Sequence, residues 1–421
     1  MTVTGAPWVG IVQMAGSLTL DRVFAHENQK RGIHVQANGS LVATDCIVQG
    51  NLDVGVYISG STATLDGIQV LDTQPDEDGE GGSGIRAQSG ATLVATNCLV
   101  QGNHYLGLFV SASTATLEGS QILETQPHEN GEYGYGIFAY ENSSLTANDT
   151  IVRGNHGVGV FLNASTAALS AVQVVDTQPH ENGEYGYGIF VISDSSLTAN
   201  DGLVEGNQEF GVYLDESAAT LDGMQVLDTQ LNARGEYGFG ILVFDDSTLA
   251  ANDCLVQGNH DIGVSLESSV ATLVDVQVLD TQLNDDGEYG RGINAQNDST
   301  LYATGCLVQG NHEVGVYLGD STATLQNCQV LRNQPKISGR GGTGISAEGA
   351  STLAVTDCLI QGNRNAGITV SEAEATVERT EVLDTHRDPL STVAFGLVSQ
   401  MSATVIATDL TIRNTDGPAL Y

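Results

Sequence analysis

Apolar and polar residues alternate along short runs of three to five residues through the whole chain. In one run Leu301 and Ala303 fall on one side while Thr300 and Tyr302 fall on the other. A period of two marks a half-buried strand. Gly, Asn, Asp and Ser break the runs, and no stretch keeps helical spacing. The pattern predicts an all-β fold of many short strands separated by small turn residues.

The runs recur every 52 residues. Gly-Asn stands at Gly50-Asn51, Gly102-Asn103, Gly154-Asn155, Gly206-Asn207, Gly258-Asn259, Gly310-Asn311 and Gly362-Asn363. A second glycine keeps the same step at Gly32, Gly84, Gly136, Gly188, Gly240, Gly292, Gly344 and Gly396, each followed by Ile or Leu. A fixed period of this kind is the signature of a repeat architecture. Each unit divides into similar halves, one starting at Gly292 and the other at Gly315, in which Ser299 matches Ser321, Cys306 matches Cys328, Val308 matches Val330 and Asn311 matches Asn333. Gly32 to Gly55 is 23 residues and Gly55 to Gly84 is 29, so the second half carries an insertion.

Three short strands in each half describe one coil of a parallel β-helix. On coil length and ladder positions the chain resembles the right-handed parallel β-helix (pectate-lyase-like) superfamily over nearly its full length. The resemblance implies a single-stranded right-handed parallel β-helix, a solenoid with two coils per 52-residue repeat and about 16 coils. Handedness comes from the resemblance alone. Residues 1–421 are expected to form one β-helix domain. Neither end reads as a cap, so the chain is expected to be a fragment of a longer protein or to have its ends covered by something else.

The inward residues of the middle strand can be named. In the first half the order is Leu then Ala, as in Leu93/Ala95 and Leu301/Ala303; in the second it reverses, as in Ala115/Leu117 and Ala323/Leu325. Stacked coils would place a large residue over a small one, which fills a narrow interior. The asparagine column, matched mostly by Thr73, Thr125, Thr177, Thr229 and Thr281 in the second half, is read as structural, its amides bonding equivalents and local backbone in an inward turn. Such asparagine ladders are common in the β-helix family that the chain resembles.

Composition narrows the partners. With 51 acidic and 14 basic residues the net charge is −37, which opposes nucleic acid and anionic membranes. It favours a soluble, self-repelling chain, cations or a cationic partner. No transmembrane segment and no signal peptide are visible in the sequence, and the expected location is extracellular or at the cell surface. The six cysteines follow core columns; only Cys306, Cys328 and Cys358 could sit on successive coils, where a thiol stack is favoured over a disulfide.

Candidate chemistry lies on the inserted loops, since binding residues gather on loops over rigid scaffolds. Four of them repeat Glu132-Tyr133, Glu184-Tyr185, Glu236-Tyr237 and Glu288-Tyr289, and a second aromatic follows at Tyr135, Tyr187 and Phe239. These eleven residues could hold an extended polysaccharide; alternatively the rings pack the loops together. No cofactor is expected. Ca²⁺ is the one candidate, through Asp76, Asp78 and Glu80 or through Asp285 and Asp286, although no EF-hand spacing is present. His104, His156, His260 and His312 read as half-exposed turn residues. Outward threonines such as Thr62, Thr64, Thr114 and Thr116 resemble those of ice-binding solenoids, but Val42, Val94 and Tyr302 break the array.

A residue copied in every repeat serves stacking, so single-site chemistry belongs where the repeat is broken. Lys336, Arg340, His386, Arg387 and Asp388 gather on the last two inserted loops and are the candidate catalytic set. No segment carries the lyase or polygalacturonase motifs of the superfamily that the chain resembles. The reading is a non-catalytic, secreted or cell-surface protein that binds a polysaccharide or a surface protein, or serves as a stalk or adhesin segment. The alternative is a polysaccharide lyase or glycoside hydrolase with its site on the C-terminal loops, and ice binding is a minor third. Oligomeric state is not legible.

Overall fold

The computed structural model describes residues 1–128 and 131–421. Among the described residues there are 49 strands and no helix. The strands repeat in threes of six, five and three residues. Val314–Gly319, Thr322–Gln326 and Gln329–Leu331 make one coil, and Thr343–Glu348, Thr352–Thr356 and Leu359–Gln361 make the next. Each class of strand stacks on its own kind in parallel, which gives a long-strand, a middle-strand and a short-strand sheet. The chain is the expected parallel β-helix. Its packing falls into two compact units, Met1–Gln208 and Glu209–Tyr421.

The checkerboard holds within each unit. In the first, Leu93 pairs with Ala115 and Ala95 with Leu117; in the second, Leu301 pairs with Ala323 and Ala303 with Leu325. All eight are buried. The short strands add one inward branched residue per coil, such as Val278, Val308 and Val330, stacked in register. This gives every coil nearly the same core volume without overpacking.

The glycine marker has a steric cause. Gly84 and Gly292 are each the second residue of a long strand, where the chain runs closest to the short sheet. A Cβ on Gly84 would lie 2.7 Å from both Val100 Cγ1 and the Gly107 carbonyl, and one on Gly292 would lie 2.6 Å from the Gly315 carbonyl. Only glycine fits.

The asparagines tie each coil to the one before it. Asn103 Oδ1 accepts from Thr73 N at 3.0 Å while its Nδ2 donates to the Val70 carbonyl at 3.0 Å. In the second unit Asn311 Oδ1 accepts from Thr281 N and Oγ1, and Nδ2 donates to the Val278 carbonyl. The column therefore bonds mainly to backbone and to threonine. Amide-to-amide contacts occur where two asparagines stack, as at Asn333 and Asn363. His156, His260 and His312 turn Nδ1 onto the carbonyls of Thr125, Thr229 and Thr281 at 3.0–3.1 Å. A carbonyl only accepts, so Nδ1 carries the proton. All six cysteines are buried free thiols.

Candidate functional site

The inserted loops connect short strands to long strands. Each closes on itself through backbone: His180 N donates to the Glu184 carbonyl, Asn232 N to that of Glu236 and Asn284 N to that of Glu288. The tight bends are capped by side chains, with Asn232 Oδ1 accepting from Glu236 N and Asn284 Oδ1 from Glu288 N. Tyr133, Tyr185, Tyr237 and Tyr289 then take left-handed φ of 65°, 67°, 64° and 57°, a costly conformation for a bulky residue. The following glycine is also left-handed. A Cβ on Gly238 or Gly290 would collide with that of His260 or His312. The Tyr-Gly pair thus turns the chain into the long strand and throws the tyrosine ring outward. The first of the four Glu-Tyr loops includes Glu129 and Asn130, which lie outside the described residues.

In the first unit the aromatic rings satisfy one another. Tyr133 packs on Tyr105 and Tyr135, with centroids 4.6 and 5.5 Å apart. Tyr185 packs on His180 and Tyr187 at 4.8 and 5.2 Å. Tyr135 and Tyr187 meet a ladder that the sequence reading missed, formed by Phe109, Phe138, Phe161 and Phe190 in register on the outer face of the long sheet. Phe138 and Phe161 stack at 4.7 Å and 6°, and Phe161 and Phe190 at 4.9 Å and 12°. Faces stacked in this way present edges to solvent, and a sugar needs faces. Burial pushes the Tyr135 hydroxyl well above its ordinary range, with neighbouring tyrosines adding to the effect.

The second unit is different. Glu236, Tyr237, Phe239, Asp261, Ile262, Glu267, Asn284, Asp286, Tyr289, Arg291, Asn294 and Gln296 line a cleft of about 470 Å³. That size falls in the range of small-ligand sites, roughly 300–1,000 Å³. Tyr237 and Tyr289 keep 42% and 44% of their surface exposed, whereas Phe239 is buried. The cleft therefore gathers four of the five predicted aromatic and acidic loop positions of this unit, Glu236, Tyr237, Phe239 and Tyr289 but not Glu288, with planar amides beside them.

Arg291 is the one cation on the walls, and it is already engaged. Its Nε donates to Glu313 at 2.7 Å, its Nη1 donates to Asn294 at 2.9 Å, and its guanidinium lies 4.0 Å from the Tyr317 ring centre. Glu313 also accepts from Lys336 at 2.9 Å, and Lys336 pairs with Glu288. Beneath the cleft is Asp261, 6% exposed, with φ 64°. Its Oδ1 has no hydrogen-bond partner. Burial raises its carboxyl to about 7, against the opposing pull of the Tyr237 N–H and Arg291 and helped by Glu313 and Glu236. Sequence reasoning passed over Asp261 because its column is not constant from repeat to repeat: Asp53, Tyr105, Gly157, Glu209, Asp261, Glu313, Asn365. That variability was itself the available signal.

The C-terminal candidates have other occupations. Lys336 belongs to the ion pairs just described. Asp388 is buried and caps a bend, accepting from Leu390 N and Ser391 N at 2.9 and 2.6 Å. His386 faces Asp416 at 3.6 Å, and Arg340 and Arg387 are exposed. The acidic cluster at Asp76 also closes a turn, Asp76 Oδ1 accepting from Asp78 N and Glu80 N. Asp285 and Asp286 are exposed. Among the described residues no three His, Cys, Asp or Glu converge to hold a metal ion. No helix there is long and apolar enough to cross a membrane.

No curated protein sequence matches the chain. Solved structures similar to it include the periplasmic alginate epimerase AlgG, 10% identical over 86% of this chain and 78% of that one, with a TM-score of 0.45. The Dettilon tailspike protein is 12% identical over 88% of this chain and 62% of its own, TM-score 0.33. The A-module of the Azotobacter vinelandii mannuronan C-5 epimerase AlgE4 is 12% identical over 91% of each chain, TM-score 0.27. At such identities nothing of their activity transfers. The model of the right-handed β-helix region matches residues 63–226, 128–282 and 185–334. These overlapping matches cover more than half of the chain, which belongs to the right-handed β-helix family.

Proposed function

We propose that this is a non-catalytic carbohydrate-binding protein, acting outside the cell or at its surface, whose ligand seats in the cleft of the second unit. The observation that carries this reading is the pairing of two exposed rings, Tyr237 and Tyr289, with the amides of Asn284, Asn294 and Gln296 around one cleft. Sugars combine apolar C–H faces, which rest on aromatic rings, with hydroxyls that need planar hydrogen-bonding partners. The aromatic rings of the first unit are already stacked on one another, so they favour rigidity over recognition.

A glycan array run with Ca²⁺ and with chelator tests the proposal. Saturable binding is expected, lost in Tyr237→Ala/Tyr289→Ala and retained in Tyr133→Ala/Tyr185→Ala. Binding that needs the second pair and not the first would overturn the placement. Release of shortened or unsaturated product from a bound polymer would favour the lyase or hydrolase alternative instead.

A further inference from the structure

The charges around the cleft do not balance. Arg291 and Lys336 are matched by Glu313 and Glu288. Glu236, Asp261, Glu267 and Asp286 remain on the walls with no further wall cation. Glu267 has an amide partner, accepting from Gln296 Nε2 at 3.1 Å. Asp261 has an oxygen with no partner at all. A buried carboxyl with an unsatisfied oxygen costs free energy that a ligand can recover. An acidic cleft repels a polyuronate and attracts a cation, and the exposed Tyr237 ring offers a face for cation–π contact, while Arg291 already lies 5.3 Å from the Tyr289 ring centre.

We infer that the cleft selects a positively charged amino sugar, with Asp261 as the counter-ion to its primary ammonium group. This inference rests on the carbohydrate reading above and adds the substrate class. The ammonium donates to Asp261 Oδ1, with Glu236 and the two tyrosines around it, while the sugar rings lie against Tyr237 and Tyr289. The groups facing Asp261 are Glu236 and the Tyr237 N–H from the preceding loop, Arg291 from the following strand, and Glu313 from the next coil. None of them supplies Oδ1 with a proton. The free carboxyl is largely neutral below pH 7 and becomes ionised when the ammonium docks, so binding at pH 6 releases a proton to solvent.

The test is isothermal titration of the full chain with a glucosamine hexamer and an N-acetylglucosamine hexamer, at pH 6 in two buffers of different protonation enthalpy. The deacetylated oligomer is expected to bind at least about tenfold more tightly, the size of one charge-assisted hydrogen bond, and to release close to one proton. Asp261→Asn keeps the shape and the Tyr237 N–H contact; it should abolish both the preference and the proton release. Equal affinity for the two oligomers, both dependent on Tyr289, would overturn the amine inference and leave the carbohydrate reading standing. Proton release unchanged in Asp261→Asn would overturn the assignment to Asp261. Binding of poly-lysine with neither oligomer would overturn both readings in favour of a cationic protein partner.

Discussion

Replacing Asp261 by Asn should raise the stability of the second unit, and by more at high pH. An ordinary aspartate titrates near 3.8, and burial moves this one to about 7. At about 1.36 kcal/mol for each pKa unit, the folded state forgoes roughly 4 kcal/mol once Asp261 is fully ionised. The sign follows from proton binding: between the two values the folded chain holds the proton and the unfolded chain does not, so stability present at low pH is lost as pH rises. About 2–3 kcal/mol of that loss falls between pH 5 and pH 8. Asn lacks the titration and retains the shape. Urea unfolding of wild type and Asp261→Asn at pH 5 and pH 8 measures the effect, with the variant gaining about 2 kcal/mol or more on wild type across that interval. Parallel pH dependences of the two proteins would refute the reasoning, because they would mean that Asp261 is ionised and solvated in the folded state.

Other consequences follow from the coil packing. Gly292→Ala forces a Cβ against the Gly315 carbonyl and Asn311 and should cost about 1–3 kcal/mol, read as a lower urea midpoint; an unchanged midpoint would show that the coils can move apart. Asn311→Ala leaves the Thr281 and Val278 backbone groups without their partner. It should cost about 1–3 kcal/mol for each orphaned group, read as a lower urea midpoint; an unchanged midpoint would show that water replaces the amide. All six thiols are buried, and burial also pushes Cys98 up to about 11, so a thiol reagent at pH 8 should reach no cysteine in the folded chain and six after unfolding. A lower count on unfolding would reveal oxidised pairs.

The fold was legible because its causes are local and repeated. The Leu/Ala alternation is read directly from a period of two, and the 52-residue step says which Leu meets which Ala. The glycine marker was visible but its cause was not. Gly292 is required by the Gly315 carbonyl of the next coil and by the Asn311 amide at the end of its own, which only the folded structure places against it. The cleft was half legible. Tyr237 and Tyr289 announced themselves by repetition, yet Tyr133 and Tyr185 carry the same motif and are packed against other rings. Tyr237 also meets rings, Phe210 and Phe239 at 5.6 and 5.8 Å; what separates the pairs is the greater exposure of Tyr237 and Tyr289 and the acids and amides that line the cleft beside them. Asp261 shows the same limit. Its sequence neighbours resemble those of Asp53 and Glu313, and its chemistry comes from loops brought over it by stacking. Lys336 stands in the candidate catalytic set by sequence, but the structure places Glu288 and Glu313 around it.

The cleft of the second unit is the proposed ligand site. The most direct measurement is a crystal structure of the full chain with a bound oligosaccharide taken from the array. Density for sugar rings lying on Tyr237 and Tyr289, with a polar group within hydrogen-bonding distance of Asp261, is the predicted result. Sugar density on the phenylalanine ladder of the first unit or on the C-terminal loops, with the cleft empty, would contradict it.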